Sequence, residues 1–124
     1  MNMKKLILLM LGVVISSGLL AQKKVLLEND DEIIATAIAE LDTAMQGPEG
    51  YFYQAGQKFA IKGAYTFDIT IYEKGQVSSV FAVKNERGTI DGQNTLKDVI
   101  RGYLFNFKMP KGKRYKFQYT FNYQ

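Results

Sequence analysis

Histidine and cysteine are both absent from the 124 residues of this chain, and its only serines beyond residue 21 are Ser78 and Ser79. Without these side chains the protein cannot form a Ser-His or Cys-His catalytic pair, a common zinc site or a disulfide. Four carboxylates remain as candidates for paired acid–base chemistry: Asp68, Glu73, Glu86 and Asp91. Asp68 shares a predicted strand row with Thr66 and Thr70, so we expect it to face water. We therefore predict that the protein is not an enzyme and uses no cofactor.

Ion-binding and phosphate-binding motifs are also missing. Residues 91–94 lack the ligand spacing of a calcium loop, and the glycines of the chain do not have the spacing of a phosphate-binding fingerprint. The acidic run Asp30-Asp31-Glu32 consists of adjacent residues, which point in different directions around a helix. We interpret this run as helix capping, and predict no metal site.

Acidic residues are absent after Asp98, whereas six basic residues follow it: Arg101, Lys108, Lys111, Lys113, Arg114 and Lys116. Lysines beside a strand edge can protect it from aggregation, and a basic rim can also attract an acidic partner or an anionic surface. The formal net charge of +4 would fall by two if Lys4 and Lys5 were removed with a leader. Such a small charge gives no reason to expect a nucleic-acid partner.

The first 21 residues have the pattern of a secretory signal. Lys4 and Lys5 precede an apolar run, and Ala21 supplies a small residue at the expected cleavage point. An uncleaved membrane anchor is the alternative, but residues 6–21 are 16 in number, short of the ~20 that a spanning helix needs. We predict a cleaved signal over 1–21, no stable membrane anchor after cleavage, and one domain over 22–124.

A helix is predicted after Asn29, which can cap it while Glu32 reaches back from the third position. Apolar residues then recur at helical spacing, at Ile33, Ile34, Ala37, Ile38, Leu41, Ala44 and Met45. Gly47 and Pro48 are expected to end the helix. Residues 50–62 remain open between a broken strand and a connecting segment packed by its own aromatic side chains.

Three strands and a second helix are predicted in the remaining half. One row of each strand is apolar apart from Ser79. The rows are Tyr65, Phe67, Ile69 and Ile71 in the first strand, Val77, Ser79, Phe81 and Val83 in the second, and Tyr115, Phe117, Tyr119, Phe121 and Tyr123 in the third. Lys74 and Gly75 form the centre of a tight two-residue or bulged hairpin turn. The fold class is therefore α+β, an N-terminal helix followed by β-β-α-β with a three-stranded antiparallel sheet packed against a helix.

The second helix is expected to begin after Asn94 or Thr95, following a polar loop over 85–93. Its apolar stripe is Leu96, Val99, Ile100, Tyr103, Leu104 and Phe107. We expect this stripe to cover one face of the sheet. The aromatic row of the last strand is expected to be buried, with an exposed binding strip as the alternative.

The order of features over residues 63–124 resembles the C-terminal domain of TonB and its relatives. Members of that family show an extended segment, a strand, a glycine turn, a second strand, a polar loop, a helix, an aromatic-x-Phe-x-Pro turn and a last strand. In this chain the extended segment ends at Lys62-Gly63, the first strand is Tyr65 to Tyr72, the glycine turn is Lys74 to Ser78 and the second strand is Val80 to Lys84. The polar loop over 85–93 follows, then the helix from Thr95 to Leu104, the aromatic turn from Phe105 to Pro110 and the last strand from Tyr115 to Tyr123. The family's Tyr-Pro motif has no counterpart here. Its energy transducers also have a membrane anchor and a long proline-rich spacer, whereas this chain has a cleavable-looking signal and no such spacer, so we expect no force transduction.

What the resemblance does imply is a mode of binding, in which the edge of the last strand pairs with an extended peptide of an outer-membrane transporter. We thus expect an exported, periplasmic or extracellular, protein-binding module whose partner is a peptide strand or a second copy of itself. The candidate edge residues are Arg114, Tyr115, Lys116, Phe117, Gln118, Tyr119, Thr120, Phe121, Asn122 and Tyr123. The alternative is an envelope-associated structural protein whose basic C-terminal region contacts anionic lipid or glycan.

Overall fold

The computed structural model describes residues 24–124, so the predicted signal over 1–21 lies outside the described residues. The elements, in chain order, are β1 (Val25–Leu26), α1 (Asp30–Ala44), α2 (Tyr51–Phe59), β2 (Gly63–Tyr72), β3 (Gln76–Glu86), α3 (Ile90–Arg101), β4 (Phe107–Lys108) and β5 (Arg114–Tyr123). The main sheet is antiparallel with strand order β3-β2-β5, and the short strands β1 and β4 pair in parallel. The α+β class and the three-stranded antiparallel sheet agree with the prediction.

One face of the sheet forms the core together with the helices. The alternation predicted for β2 is correct, since Tyr65, Phe67, Ile69 and Ile71 are all fully buried. α1 packs against β5, α3 packs against β3, and α2 contacts both helices. The sheet is therefore covered on one face by three helices rather than by the single helix expected from the sequence.

Helix α1 forms where its capping pattern predicts. The Asn29 side chain accepts a hydrogen bond from the Glu32 backbone N–H at 3.1 Å, which satisfies one of the unpaired donors of the first turn. The stripe of α1 enters the core through its four buried residues, Ile33, Ala37, Leu41 and Ala44.

Both interpretations of residues 50–62 were wrong, because Tyr51–Phe59 is the helix α2. Phe52 is fully buried, and Ala60 ends the helix in the left-handed conformation. Gly56 lies at a close approach between α2 and β5. A Cβ atom at this position would lie 2.4 Å from Cε1 of Tyr123, so only glycine lets the ring pack here.

The alternation predicted for β3 was wrong, because two register shifts interrupt its pairing with β2. The shifts fall between Thr66 and Phe67 and between Thr70 and Ile71 of β2. Each shift inserts a residue on the β3 side and exchanges the strand's faces beyond it. Val80 is consequently buried, whereas Phe81 is exposed over 62% of its surface.

The second predicted helix was placed several residues too late. α3 begins at Ile90, with Thr89 Oγ1 accepting a hydrogen bond from Gly92 N at 2.9 Å, so Asn94 and Thr95 lie inside the helix. It ends at Arg101, so Tyr103, Leu104 and Phe107 do not belong to its stripe. The predicted stripe failed at its C-terminal end because the chain leaves the helix at Gly102.

The segment after α3 seals one end of the core. Phe105, Phe107 and Met109 are buried, and the Phe105 N–H donates to Gly75 O at 2.8 Å. Gly75 belongs to the hairpin turn, which has three residues and places Gly75 at a φ of +90°. The position predicted for Gly75 in the hairpin turn is confirmed, and glycine adopts this positive φ without strain.

Candidate functional site: the outer edge of β5

All ten candidate edge residues, Arg114 to Tyr123, lie in β5. In the strand order β3-β2-β5, β5 is at one end of the sheet and pairs only with β2. Within residues 24–124, no backbone group of β5 bonds to a loop, a helix or another strand on its outer side. Such an edge presents a row of unpaired N–H and C=O groups, which is a template for an added strand.

The two edges of the sheet differ in regularity. β5 keeps one continuous register with β2 over ten residue pairs, from Gly63 opposite Tyr123 to Tyr72 opposite Arg114. β3 is interrupted twice, and such bulges twist an edge away from regular pairing. The β5 edge is consequently the better template for an incoming backbone.

The side chains of β5 divide into two rows. Tyr115, Phe117, Phe121 and Tyr123 are buried, and Tyr119 is partly buried. These aromatic side chains belong to the core, so a partner cannot pack directly on most of this row. What remains accessible is the strand's backbone and the alternating polar row, Lys116, Gln118, Thr120 and Asn122.

Two phenols attach β5 to the helices. The Tyr119 hydroxyl donates to Asp42 Oδ1 of α1 at 2.6 Å, and the Tyr123 hydroxyl donates to the Phe52 carbonyl of α2 at 2.8 Å. Burial, reinforced at Tyr119 by the Asp42 carboxylate, raises the pKa of both phenols well above the ordinary value. β5 is thereby held on the helices at its centre and at its C-terminal end.

The polar row is tied back to β2. Gln118 Nε2 donates to Asp68 Oδ1 at 3.1 Å, and Lys116 Nζ lies 3.8 Å from the other oxygen of the same carboxylate. Asp68, the mid-strand acid, thus serves as a cross-strand partner for two β5 side chains. These contacts order β5 without using its outer backbone groups.

The helix flank beside this edge belongs to the apolar stripe predicted for the first helix, but its position next to β5 was not predicted. Ile34, Ile38 and Met45 recur on one side of α1 and are only partly buried against the core. Asp42 adjoins this flank and reaches β5 through Tyr119, so the flank lies on the side of α1 that faces the strand. A strand added to β5 would place one of its side-chain rows toward these apolar residues.

From residue 24 onward, no helix is both long enough and apolar enough for a membrane span. Over the same residues, no cluster of three or more acidic side chains could hold a metal ion.

No protein-family model matches the chain, and no curated protein matches it in sequence. Among solved structures, the chain is similar to the NMR solution structure of the Helicobacter pylori TonB C-terminal domain. The similarity covers 77% of this chain and 85% of that chain, with 16% sequence identity and a TM-score of 0.44. These comparisons do not assign the chain to a family.

Proposed function

We propose that the protein is an exported, non-enzymatic binding module that takes an extended polypeptide segment as a fourth strand on the outer edge of β5. The observation that carries this proposal is the combination of an unpaired outer edge with ten uninterrupted residue pairs on the inner edge. A backbone held straight by its neighbour is already in the conformation that an added strand requires. The signal-like residues 1–21 are the reason for proposing export.

The partner is an extended segment in which apolar and polar side chains alternate. One row of such a segment would lie toward the apolar flank of α1, at Ile34, Ile38 and Met45, and the other toward the polar row of β5. The sequence resemblance to TonB C-terminal domains implies a segment of an outer-membrane transporter. A second copy of this chain, pairing β5 with β5, is the other occupant of the same edge.

Peptide titration followed by NMR tests the proposal. Purified protein beginning at residue 22 is titrated with extended segments from outer-membrane transporters, and the backbone amides of residues 24–124 are monitored. The proposal predicts that the largest shifts fall on 114–123, with smaller shifts at Ile34 and Ile38. Shifts confined to β3, or no binding of any peptide together with a monomer in sedimentation, would contradict it.

A second candidate function is contact with anionic lipid or glycan. The observation that favours it is that Lys108, Lys111, Lys113, Arg114 and Lys116 are all exposed near the start of β5. Binding of this kind weakens strongly with salt, whereas pairing through the backbone does not. Co-sedimentation with vesicles containing anionic lipid, at low and high salt, distinguishes the two functions. Binding that is absent or unchanged by salt would reject the electrostatic one.

A further inference from the structure

An open cleft lies away from the β5 edge, between the C-terminal part of α1, the loop after it and the segment after α3. Its volume is about 700 Å³. Twelve residues line it, and none of them is a lysine or an arginine. Two carboxylates, Glu40 and Glu49, are among the lining groups, so the cleft carries negative charge without a basic side chain of its own.

The Glu40 carboxylate is fixed in position at this cleft. It accepts hydrogen bonds from the Tyr103 hydroxyl at 2.5 Å and from the Asn106 N–H at 3.0 Å. Both donors are neutral, and within residues 24–124 no lysine or arginine lies within 4.0 Å of this carboxylate. A partly buried carboxylate without a cationic partner favours the binding of a cation, because its charge is only partly solvated.

Aromatic and apolar surface lies beside this charge. The rings of Tyr51 and Tyr103 stand 5.0 Å apart between centroids, and Tyr51 remains 45% exposed. Leu104 is 55% exposed at the same cleft. Faces of tyrosine rings attract cations, and exposed apolar surface packs against the methylene stem of a long basic side chain.

We propose that this cleft binds an arginine side chain presented by a polypeptide partner. The planar guanidinium would stack on Tyr51 and donate to the lone pairs that Glu40 leaves free, while Glu49 adds a second negative charge at the mouth. The site is independent of β5, since none of its lining residues belongs to that strand. If the cleft does not bind arginine, the proposed pairing of a strand with β5 is therefore not contradicted.

Two synthetic tripeptides test the charge directly: acetyl-Gly-Arg-Gly-amide and its citrulline counterpart, which has a similar shape but no charge. We expect the arginine peptide to shift the amides of Tyr51, Leu104 and Asn106, with affinity that falls as salt is added. We expect little or no shift with citrulline at the same concentration. Equal binding of the two peptides, or shifts located elsewhere, would overturn the proposal.

Three variants assign the binding to the cleft. Glu40→Gln removes the charge but keeps groups that can bond to Tyr103 and Asn106, and Glu49→Gln alters an exposed residue that is not needed for packing. Each is expected to weaken binding of the arginine peptide about threefold or more, whereas the control Glu28→Gln should leave it unchanged. A thermal melt verifies that each variant is folded. Unchanged affinity in folded Glu49→Gln and Glu40→Gln would overturn the proposal.

Discussion

The hydroxyl of Tyr119 donates a 2.6 Å hydrogen bond to Asp42, and this bond joins the edge strand of the sheet to the first helix. The two residues are 77 positions apart in the sequence. Because the bond is made by a side chain, it holds β5 without occupying the backbone groups of its outer edge. The edge can therefore be rigid and unpaired at the same time, which is what strand addition requires.

Tyr119→Phe tests this attachment. The substitution keeps the ring but removes the hydroxyl, so we expect the free energy of unfolding to fall by about 0.5–1.5 kcal/mol. Amide hydrogen exchange at 117–121 should become faster than in the rest of the sheet. Tyr53→Phe is the matched control, because Tyr53 is exposed and its hydroxyl makes no hydrogen bond within residues 24–124. If both variants behave alike, the Asp42 bond does not hold the strand.

The raised phenol pKa values predict how stability depends on pH. Burial is the main cause at Tyr103, Tyr119 and Tyr123, and in each case the folded state keeps its proton to a higher pH than the unfolded chain does. The stabilisation is thus fully present below the unfolded tyrosine pKa of about 10 and is lost as pH rises above it. Urea melts from pH 7 to 11 should show a decline that begins near pH 10 and is smaller in Tyr123→Phe. An equal decline in that variant would contradict the prediction.

The difference in burial between Phe107 and Tyr72 predicts unequal effects of Phe107→Ala and Tyr72→Ala. Phe107 is 3% exposed in β4, and removing its ring should cost about 3–5 kcal/mol. Tyr72 lies on the solvent face of β2, where Cζ of Arg114 lies 5.0 Å from the centroid of its ring. Replacing Tyr72 with alanine should therefore lower the free energy of unfolding much less. Denaturant melts of the two variants measure the difference. A larger loss in Tyr72→Ala would mean that the buried face has been assigned wrongly.

Gly56→Ala and Gly102→Ala form a matched pair of glycine substitutions. At Gly56 the added methyl would lie 2.4 Å from the Tyr123 ring, so we expect a loss of about 1–3 kcal/mol and displacement of that ring. At Gly102 the nearest atom is 3.7 Å away, and alanine should be neutral or stabilise by about 0.4–1 kcal/mol. Thermal melts compare the two, and near-UV circular dichroism reports on the ring. Equal stability of both variants would contradict the close packing of α2 on β5.

The parts of the fold that the sequence predicted well are those in which one local signal decides the outcome. β2 and β5 alternate without interruption, so their rows could be read from period alone, and Asn29 marks the start of α1. β3 could not be read in this way, because its two bulges depend on pairing with β2 and reverse the faces of Val80 and Phe81. α2 has only nine residues, and its glycine at position 56 is explained by a ring that lies 67 positions later.

The alternation of residues 115–123 predicted the strand β5, and the resemblance to TonB C-terminal domains implied the use of its edge, but the surroundings of that edge were not predicted. Whether a strand lies at the edge of a sheet depends on strand order, which here places β2 in the centre. The cleft around Glu40 was not predicted either. Tyr103 was assigned to the apolar stripe of the second predicted helix, whereas that helix ends at Arg101. Both features arise from long-range packing, which a single sequence does not encode in any local period.

Selective N-methylation of a bound peptide tests the central claim most directly. In an extended strand, alternate residues direct their N–H groups to opposite edges, and only one of these edges can pair with β5. Two versions of the best transporter peptide are made, one methylated at its even positions and the other at its odd positions. The account predicts that one version loses binding to 114–123 whereas the other binds as the parent peptide does. If both versions bind, or neither binds, backbone pairing at the outer edge of β5 is contradicted.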